Sequence, residues 1–383
     1  MVEPGTIADK VETRGARPWE PPAPAGEKPA GCDYGFVSKG QAVGCSPEEL
    51  VEAVTERGVL EIESVWTPET TRPVLPEEVP LTVTAFKRRA FKDARKALYW
   101  GAGFLVFGGG LALALGGRDM IWRNFFLVIG VVSVFGGVFE LYRARHYTQE
   151  DARRAAEMAR FGRWVKETRA TAYTFFLAAF IIIVLVAQFL YGEKESVNAA
   201  GLLKPAVWQG QYWRLLTCTL MHANFTHFWL NIIFLTEFAP IVERLTHRAL
   251  IPTVFLFSAL CGSVFSLFLY PNTTSIGASG GLMGHLGFVI VAAYLYPQKY
   301  PSGYFRLMLE VVGFVALFGL IGFAFIDNAA HLGGLLGGIF LGWLFLRRGR
   351  MDRRRGLKTD ALGVVSLILL CLVAVYAISR MVK

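Results

Sequence analysis

The chain has 383 residues, 54% of them hydrophobic, and its 39 Lys and Arg against 30 Asp and Glu give a formal charge of +9 at pH 7. That apolar share excludes a soluble enzyme built on one large core and indicates an integral membrane protein. Nucleic acid is excluded as a partner by where the positive charge sits: Lys and Arg gather in alternate connections between apolar runs, the positive-inside pattern of a chain in a lipid bilayer.

Nine runs are long enough to span, near 97–117, 124–142, 171–191, 224–242, 250–270, 275–296, 307–325, 327–346 and 361–379. The fold class expected is therefore an all-α polytopic membrane protein. Basic clusters at Lys87–Lys96, Arg143–Arg169, Arg244 with Arg248, Lys299 with Arg306, and Arg347–Lys358 precede the first span and then follow every second one. The N-terminus is accordingly expected in the cytoplasm and the C-terminus outside, in a bacterial inner (cell) membrane. Cys32, Cys45, Cys218, Cys261 and Cys371 make no CxxC pair, and no histidine precedes His146, so neither a disulfide framework nor a metal site is expected. No cofactor is expected.

In chain order, residues 1–30 read as a disordered tail rich in Pro and Gly, with no apolar core of a signal peptide. Residues 31–90 read as a small cytosolic region. Within it Ser46-Pro47-Glu48-Glu49 spells a capping box with proline at the first helical position, and Val59 to Val65 alternates like a strand. Residues 91–148 form a hairpin of two spans joined at Arg118–Arg123, whose glycines Gly108, Gly109, Gly110, Gly130, Gly136 and Gly137 suggest close helix packing. Residues 149–170 read as a charged helix on the cytosolic surface, with Met158, Phe161, Trp164 and Val165 toward lipid or protein. The core spans 171–347, and 348–383 add a basic linker and a last transmembrane helix.

Within that core, Ser275–Gly287 reads SIGASGGLMGHLG and places Ser279 near one end of a span. The bland reading of Ser279 is a hydroxyl bonded back to its own helix one turn earlier. Against it stand Gly277, Gly280, Gly281 and Gly284, two overlapping small-xxx-small pairs that let another helix approach to backbone contact. Span eight supplies a matching face: His331 is followed by Gly334, Gly338 and Gly342, at plus three, plus seven and plus eleven. If the two faces meet, hydroxyl and imidazole come within ~3 Å, the reach of proton transfer. His227 and Asn231, four apart, share one helix face just after the long connection that carries Trp213 and Arg214. Asn231, His227 and the Ser279 N–H are the candidate oxyanion donors, with His331 as base and then acid. Asp327, one turn before His331, reads as a helix cap rather than a third catalytic member.

Gly277-Ala-Ser279-Gly280, Ala330-His331-Leu-Gly-Gly334, His222 with His227 and Asn231, and Trp213-Arg214 resemble, in order, the motifs of rhomboid intramembrane serine proteases. The resemblance covers about 170–347, six spans. It implies a six-helix rhomboid-like core with two extra N-terminal helices and one extra C-terminal helix. It implies a Ser279–His331 dyad assisted by Asn231 and His227, and transmembrane protein substrates that enter near 307–325. It gives supporting roles to Trp213, Arg214 and Glu243, which brace the long loop and a helix end, and to His222, Gly277, Gly280, Gly334 and Gly338. One departure is Met283, four residues after the serine, where an aromatic residue is usual. A soluble nucleophile elbow would need an alternating βα pattern that is missing here. HExxH is absent, and no Asp lies between Asp151 and Asp327 to build an intramembrane aspartyl pair. The remaining alternatives are a non-catalytic rhomboid-like scaffold that binds membrane clients, and a transporter, whose inverted repeats are not seen.

Overall fold

The computed structural model describes residues 17–22, 24, 28–29, 31–115, 125–167, 172–323, 326–347 and 357–382. Most of the tail expected at 1–30, the turn Arg118–Arg123 and most of the basic linker after 347 lie outside them. The chain divides into two compact units. One takes the described residues up to Arg95 with Phe139–Trp164 and Gln298–Ser302, and the other takes the described parts of Lys96–Val138, Val165–Pro297 and Gly303–Lys383.

The first unit opens with a hairpin, β1 (Tyr34–Ser38) and β2 (Gln41–Cys45), followed by α1 (Pro47–Arg57) and β3 (Ile62–Trp66) in an antiparallel sheet of order β2-β1-β3. Lys39 and Gly40 both take positive φ, which a two-residue turn needs to match strand twist. The capping box forms as its residues require: Ser46 Oγ accepts from the Glu49 N–H at 3.2 Å, and the Ser46 N–H donates to the Glu49 carboxylate at 2.8 Å. Leu50, Val54, Phe36, Ile62 and Val65 make a core that also takes Phe86 of α2 (Pro80–Leu115) and Ala152 and Ala156 of α4 (Gln149–Lys166). The apolar side of α4 therefore faces protein. Phe161 is buried with Trp19 and Tyr300, at ring distances of 5.8 and 6.0 Å, and Arg160 pairs with Glu77 at 2.9 Å. A small sheet thus accompanies the helical body, and only its last strand was expected.

In the second unit, the later part of α2 packs on the earlier part of α3 (Phe125–Arg145) through Gly108, Gly130 and Gly137, while a Cβ at Gly109, Gly110 or Gly136 would meet nothing among the described residues. Among the described residues six helices are long and apolar enough to cross a membrane: α5 (Ala172–Tyr191), α9 (Phe225–Leu245), α10 (Leu250–Leu269), α12 (Tyr304–Ile321), α13 (Asn328–Leu346) and α14 (Leu357–Val382), the last from Lys358. The seventh apolar helix, α11 (Ser279–Leu295), has only 17 residues and is buried from Gly280 to Ala293. A helix apolar all round belongs inside a bundle, and α11 is the one the others surround. The last helix, α14, is docked rather than appended: Ser366 Oγ lies 3.1 Å from Thr253 Oγ1 of α10, and Gly363 rests against the Ala249 backbone.

The closest approach is between α11 and α13. A Cβ at Gly334 would fall 1.9 Å from the Gly280 carbonyl oxygen, and one at Gly338 would fall 1.9 Å from that of Gly284. Backbone cannot yield as a side chain does. Gly338→Val should therefore destabilise the folded protein by about 3 kcal/mol, the upper range for overpacking, read as a lowered melting temperature in detergent; Gly313→Ala, at an open helical position, should not lower it.

Candidate active site

Ser279 is the first residue of α11, four residues later than the expected span, because the chain before it is held otherwise. Thr274–Ser275 forms β5, paired antiparallel with β4 (Leu202–Leu203) in the connection after α5. Gly277 then takes φ +139°, and its N–H donates to the Cys218 carbonyl at 2.9 Å. A Cβ at Gly277 would lie 2.6 Å from Cε1 of His227, so this glycine makes room for that imidazole. No helical turn precedes Ser279 for its hydroxyl to bond back to. Its N–H instead belongs to the first turn, where amides have no partner in their own helix and the helix dipole favours negative charge.

His331 lies in the first turn of α13. Asp327 is the N-cap: its Oδ1 accepts from the Ala330 N–H at 2.9 Å, its carbonyl accepts from the His331 N–H at 3.1 Å, and its other oxygen accepts from Ser266 Oγ. Both carboxylate oxygens are engaged in the cap and its support, as the capping reading requires. Gly280 meets Gly334 and Gly284 meets Gly338, so the two helices run parallel and begin on the same side. Gly280 also faces the Ala330 carbonyl, at 3.3 Å from where its Cβ would be, which sets Ser279 and His331 next to one backbone contact. Among the described residues no hydrogen bond joins the two side chains. Nδ1 of His331 is buried without a hydrogen-bond partner among the described residues.

The third piece is the start of α9. Asn224 caps it, its Oδ1 accepting from the His227 N–H at 2.8 Å, and Asn231, one turn on and buried, donates through Nδ2 to the His227 carbonyl at 3.0 Å. The His227 ring lies against Gly277, two residues before Ser279. The structure thus gathers Ser279, His331 and His227, with Asn231 one turn below. His222 stands behind them, its ring 5.1 Å from that of His227 and both nitrogens buried without a hydrogen-bond partner among the described residues. Burial, and then the neighbouring His227, push the His222 imidazole down to about 3. Met283 is buried in α11.

Supporting residues anchor the connection between α5 and α9. It holds three short helices, α6 (Glu193–Ala200), α7 (Lys204–Trp208) and α8 (Arg214–Thr217). Arg214 donates to the carbonyls of Gly201 at 2.7 Å and Asn198 at 3.0 Å, and to Gln211 Oε1 at 2.7 Å. Trp213 lies between Arg214 and Arg380, whose guanidinium carbons are 4.6 and 5.2 Å from its ring, and Tyr376 of α14 meets it edge-on. Glu243, near the far end of α9, accepts from Thr174 Oγ1 of α5 at 2.6 Å. Two contributors carried no motif. Gln188 of α5 clasps the backbone of His222, receiving its N–H at 2.9 Å and donating to its carbonyl at 3.1 Å. Lys204 is fully buried against Ser275. A polar residue in an otherwise apolar span was the available signal for Gln188; none marked Lys204 apart from other surface-type lysines. No group of three His, Cys, Asp or Glu is placed to hold a metal among the described residues.

Comparison with known proteins finds rhomboid relatives. Residues 209–348 match the rhomboid domain. RHOMBOID-like protein 7 of Arabidopsis thaliana is 35% identical over 155 residues, 40% of this chain and 48% of that protein. The putative rhomboid protease YdcA of Bacillus subtilis (strain 168) is 29% identical over 140 residues, 36% of this chain and 70% of its own length. Rhomboid protease GluP of the same organism is 32% identical over 157 residues, 39% of this chain and 28% of its own. Residues 209–348 of the chain thus match a rhomboid domain, and the chain is a multi-pass integral membrane protein. It spans about half the length of the Arabidopsis relative.

Arg214→Lys, which keeps charge but loses the fork, should speed amide exchange of residues 198–203 roughly 10-fold, as loss of charge-assisted bonds to carbonyls predicts. For His222 the folded-state value lies below the ordinary 6.5, so the neutral ring contributes stability above pH 6.5 that is lost as pH falls toward about 3. His222→Phe should flatten the fall in melting temperature over that window.

Proposed function

We propose that the protein is a serine endopeptidase of the rhomboid type, which cuts transmembrane segments of membrane proteins near the outer face of a bacterial inner membrane through a Ser279–His331 dyad. The observation that carries this reading is the parallel glycine contact of α11 and α13, which sets the serine and the histidine beside Gly280 and Ala330 with His227 against Gly277. Serine is a poor nucleophile until a base takes its proton, and imidazole is suited to that near neutral pH.

In this mechanism His331 removes the Ser279 proton as Oγ attacks the scissile carbonyl carbon. The electron pair moves to oxygen, and the oxyanion is met by the Ser279 N–H, by His227 and by the amide hydrogen of Asn231 not donated to the His227 carbonyl. Collapse breaks the C–N bond, the amine leaves with the proton from His331, and an acyl-serine remains. Water then gives a proton to His331 as it attacks the ester carbon, and the C–Oγ bond breaks as His331 returns that proton to Oγ, which releases the carboxyl product and restores Ser279. Client segments enter beside α12, whose end is tied to the start of α13 by Asn328 Nδ2 donating to the Gly319 carbonyl at 2.9 Å. The basic clusters support a reading with the N-terminal sheet unit in the cytoplasm and the C-terminus outside.

The lack of a Ser279–His331 hydrogen bond among the described residues is what a non-catalytic, client-binding reading would use. Catalytic bonds are commonly long before substrate arrives, so it does not outweigh the juxtaposition. The test incubates purified protein in detergent with labelled single-span substrates and maps cuts by mass spectrometry. Ser279→Ala and His331→Ala should abolish cleavage while the protein stays folded, and Asn231→Ala should slow it roughly 10²- to 10³-fold. Chelators should have no effect. Turnover that survives Ser279→Ala overturns the assignment, and client binding without any cut supports the scaffold.

A further inference from the structure

Four side chains from four separate segments form one chain of hydrogen bonds behind the site. Lys204 Nζ donates to Ser275 Oγ at 2.6 Å and to Thr273 Oγ1 at 3.2 Å. Ser275 Oγ and Ser266 Oγ are 3.1 Å apart, and Ser266 Oγ donates to Asp327. Lys204 and Ser266 are fully buried, and Ser275 and Asp327 are half-buried.

The proton order in this chain is forced. Each hydroxyl has one hydrogen. Ser266 gives its hydrogen to the carboxylate, so Ser275 must give its own to Ser266, and Ser275 can only accept from the ammonium. The order runs one way, from cation to anion, and each bond polarises the next. The two formal charges at its ends compensate one another in a place where either alone would be costly.

Two of its members, Ser275 and Asp327, stand at the same sequence distance ahead of the two reacting groups. Ser275 lies four residues before Ser279, in the β5 segment that Leu202 and Leu203 hold just ahead of Lys204. Asp327 lies four residues before His331 and fixes the N–H of Ala330 and of His331 itself. The His331 ring has no side-chain partner at Nδ1, so its direction depends on the backbone that carries it.

We propose that Lys204, Ser275, Ser266 and Asp327 act as positioning residues, a charge-closed relay through which the connection after α5 sets the first turn of the histidine helix against the segment leading to the nucleophile. This rests on the Ser279–His331 reading above. It gives that connection a share in the geometry of catalysis, apart from any contact with substrate.

The test uses the purified full chain and three readings: covalent labelling of Ser279 by a fluorophosphonate, kcat and KM on a single-span substrate the wild type cuts, and melting temperature. Ser266→Ala, the mildest break, should lower both kcat and the labelling rate roughly 10-fold with KM unchanged and melting shifted by only a few degrees. Lys204→Met and Asp327→Asn each leave one charge uncompensated and should lower the rates roughly 100-fold. The double variant removes both charges and should label roughly 10-fold faster than either single one. Wild-type labelling by Ser266→Ala, rate losses that merely track the unfolded fraction, or a double variant as slow as the product of the singles would each overturn the relay alone. Should a single-charge variant fail to fold, Ser266→Ala against wild type still decides. A wild type that neither labels nor cuts any substrate overturns the protease reading, and the relay falls with it.

Discussion

Everything in the membrane unit depends on two helices touching through glycine. Between helices in lipid the hydrophobic effect gives little drive, because the tails are as apolar as leucine, so association rests on close packing and on satisfied polar groups. In α13 Gly334, Gly338 and Gly342 meet α11, while Gly333 and Gly337 meet α10 at the Cys261 carbonyl and Ser258. Each glycine inside a helix costs about 1 kcal/mol of propensity relative to alanine. A chain that carries five of them in one span gives up helix stability for proximity on two faces. The result is a wedge: α13 is held between its neighbours at backbone distance, and the residue that opens the wedge is His331. A parallel register, fixed by the pairs 280 with 334 and 284 with 338, then brings both helix starts to the same end.

That end needs a cover, and the connection between α5 and α9 supplies one. Irregular backbone is tolerated at membrane depth only where its polar groups are satisfied by protein. Arg214 answers two carbonyls, Gln188 answers both backbone groups of His222, Thr217 Oγ1 donates to the Ala200 carbonyl at 2.7 Å, and the two-residue pair of β4 with β5 joins this connection to the segment before Ser279. The C-terminal helix takes part, since Tyr376 and Arg380 enclose Trp213. Seen this way α14 is a strut for the cover, although by sequence it reads as an addition.

What the sequence made legible followed short-range rules. The capping box at Ser46, the i, i+4 pair of His227 and Asn231, the cap at Asp327 and the glycine stripe of α13 each depend on residues within a turn or two of one another, so spacing suffices to find them. The start of α11 was misplaced for a complementary reason. Apolarity continues smoothly through Ile276 and Ala278, and only the pairing of Thr274–Ser275 with Leu202–Leu203, some seventy residues away, shows where helix gives way to strand. The hairpin of β1 and β2 was equally hidden, because β2 is exposed along nearly its whole length and offers no alternation of buried and open positions. Lys204 shows the limit most plainly: in one dimension it is a lysine before a proline, and its burial is a property of four segments meeting.

The site has an uneven distribution of restraint. Its backbone is fixed hard, by glycine contacts, by caps at Asn224 and Asp327, and by the φ of Gly277. Its imidazoles are not: among the described residues His222 lacks a hydrogen-bond partner at both nitrogens and His331 at Nδ1. Polar groups left so in a buried place are costly unless something later satisfies or uses them. For His222 the packing against His227 and Phe228, with rings 5.1 and 5.7 Å away, makes it a wall that fixes where His227 can lie. For His331 no such wall is needed if the first turn of its helix is itself immobile. In the proposed reaction the precision of the reacting groups is then inherited from main chain, and a substrate carbonyl entering between Ser279 and Asn231 would be the partner that draws hydroxyl and imidazole into line.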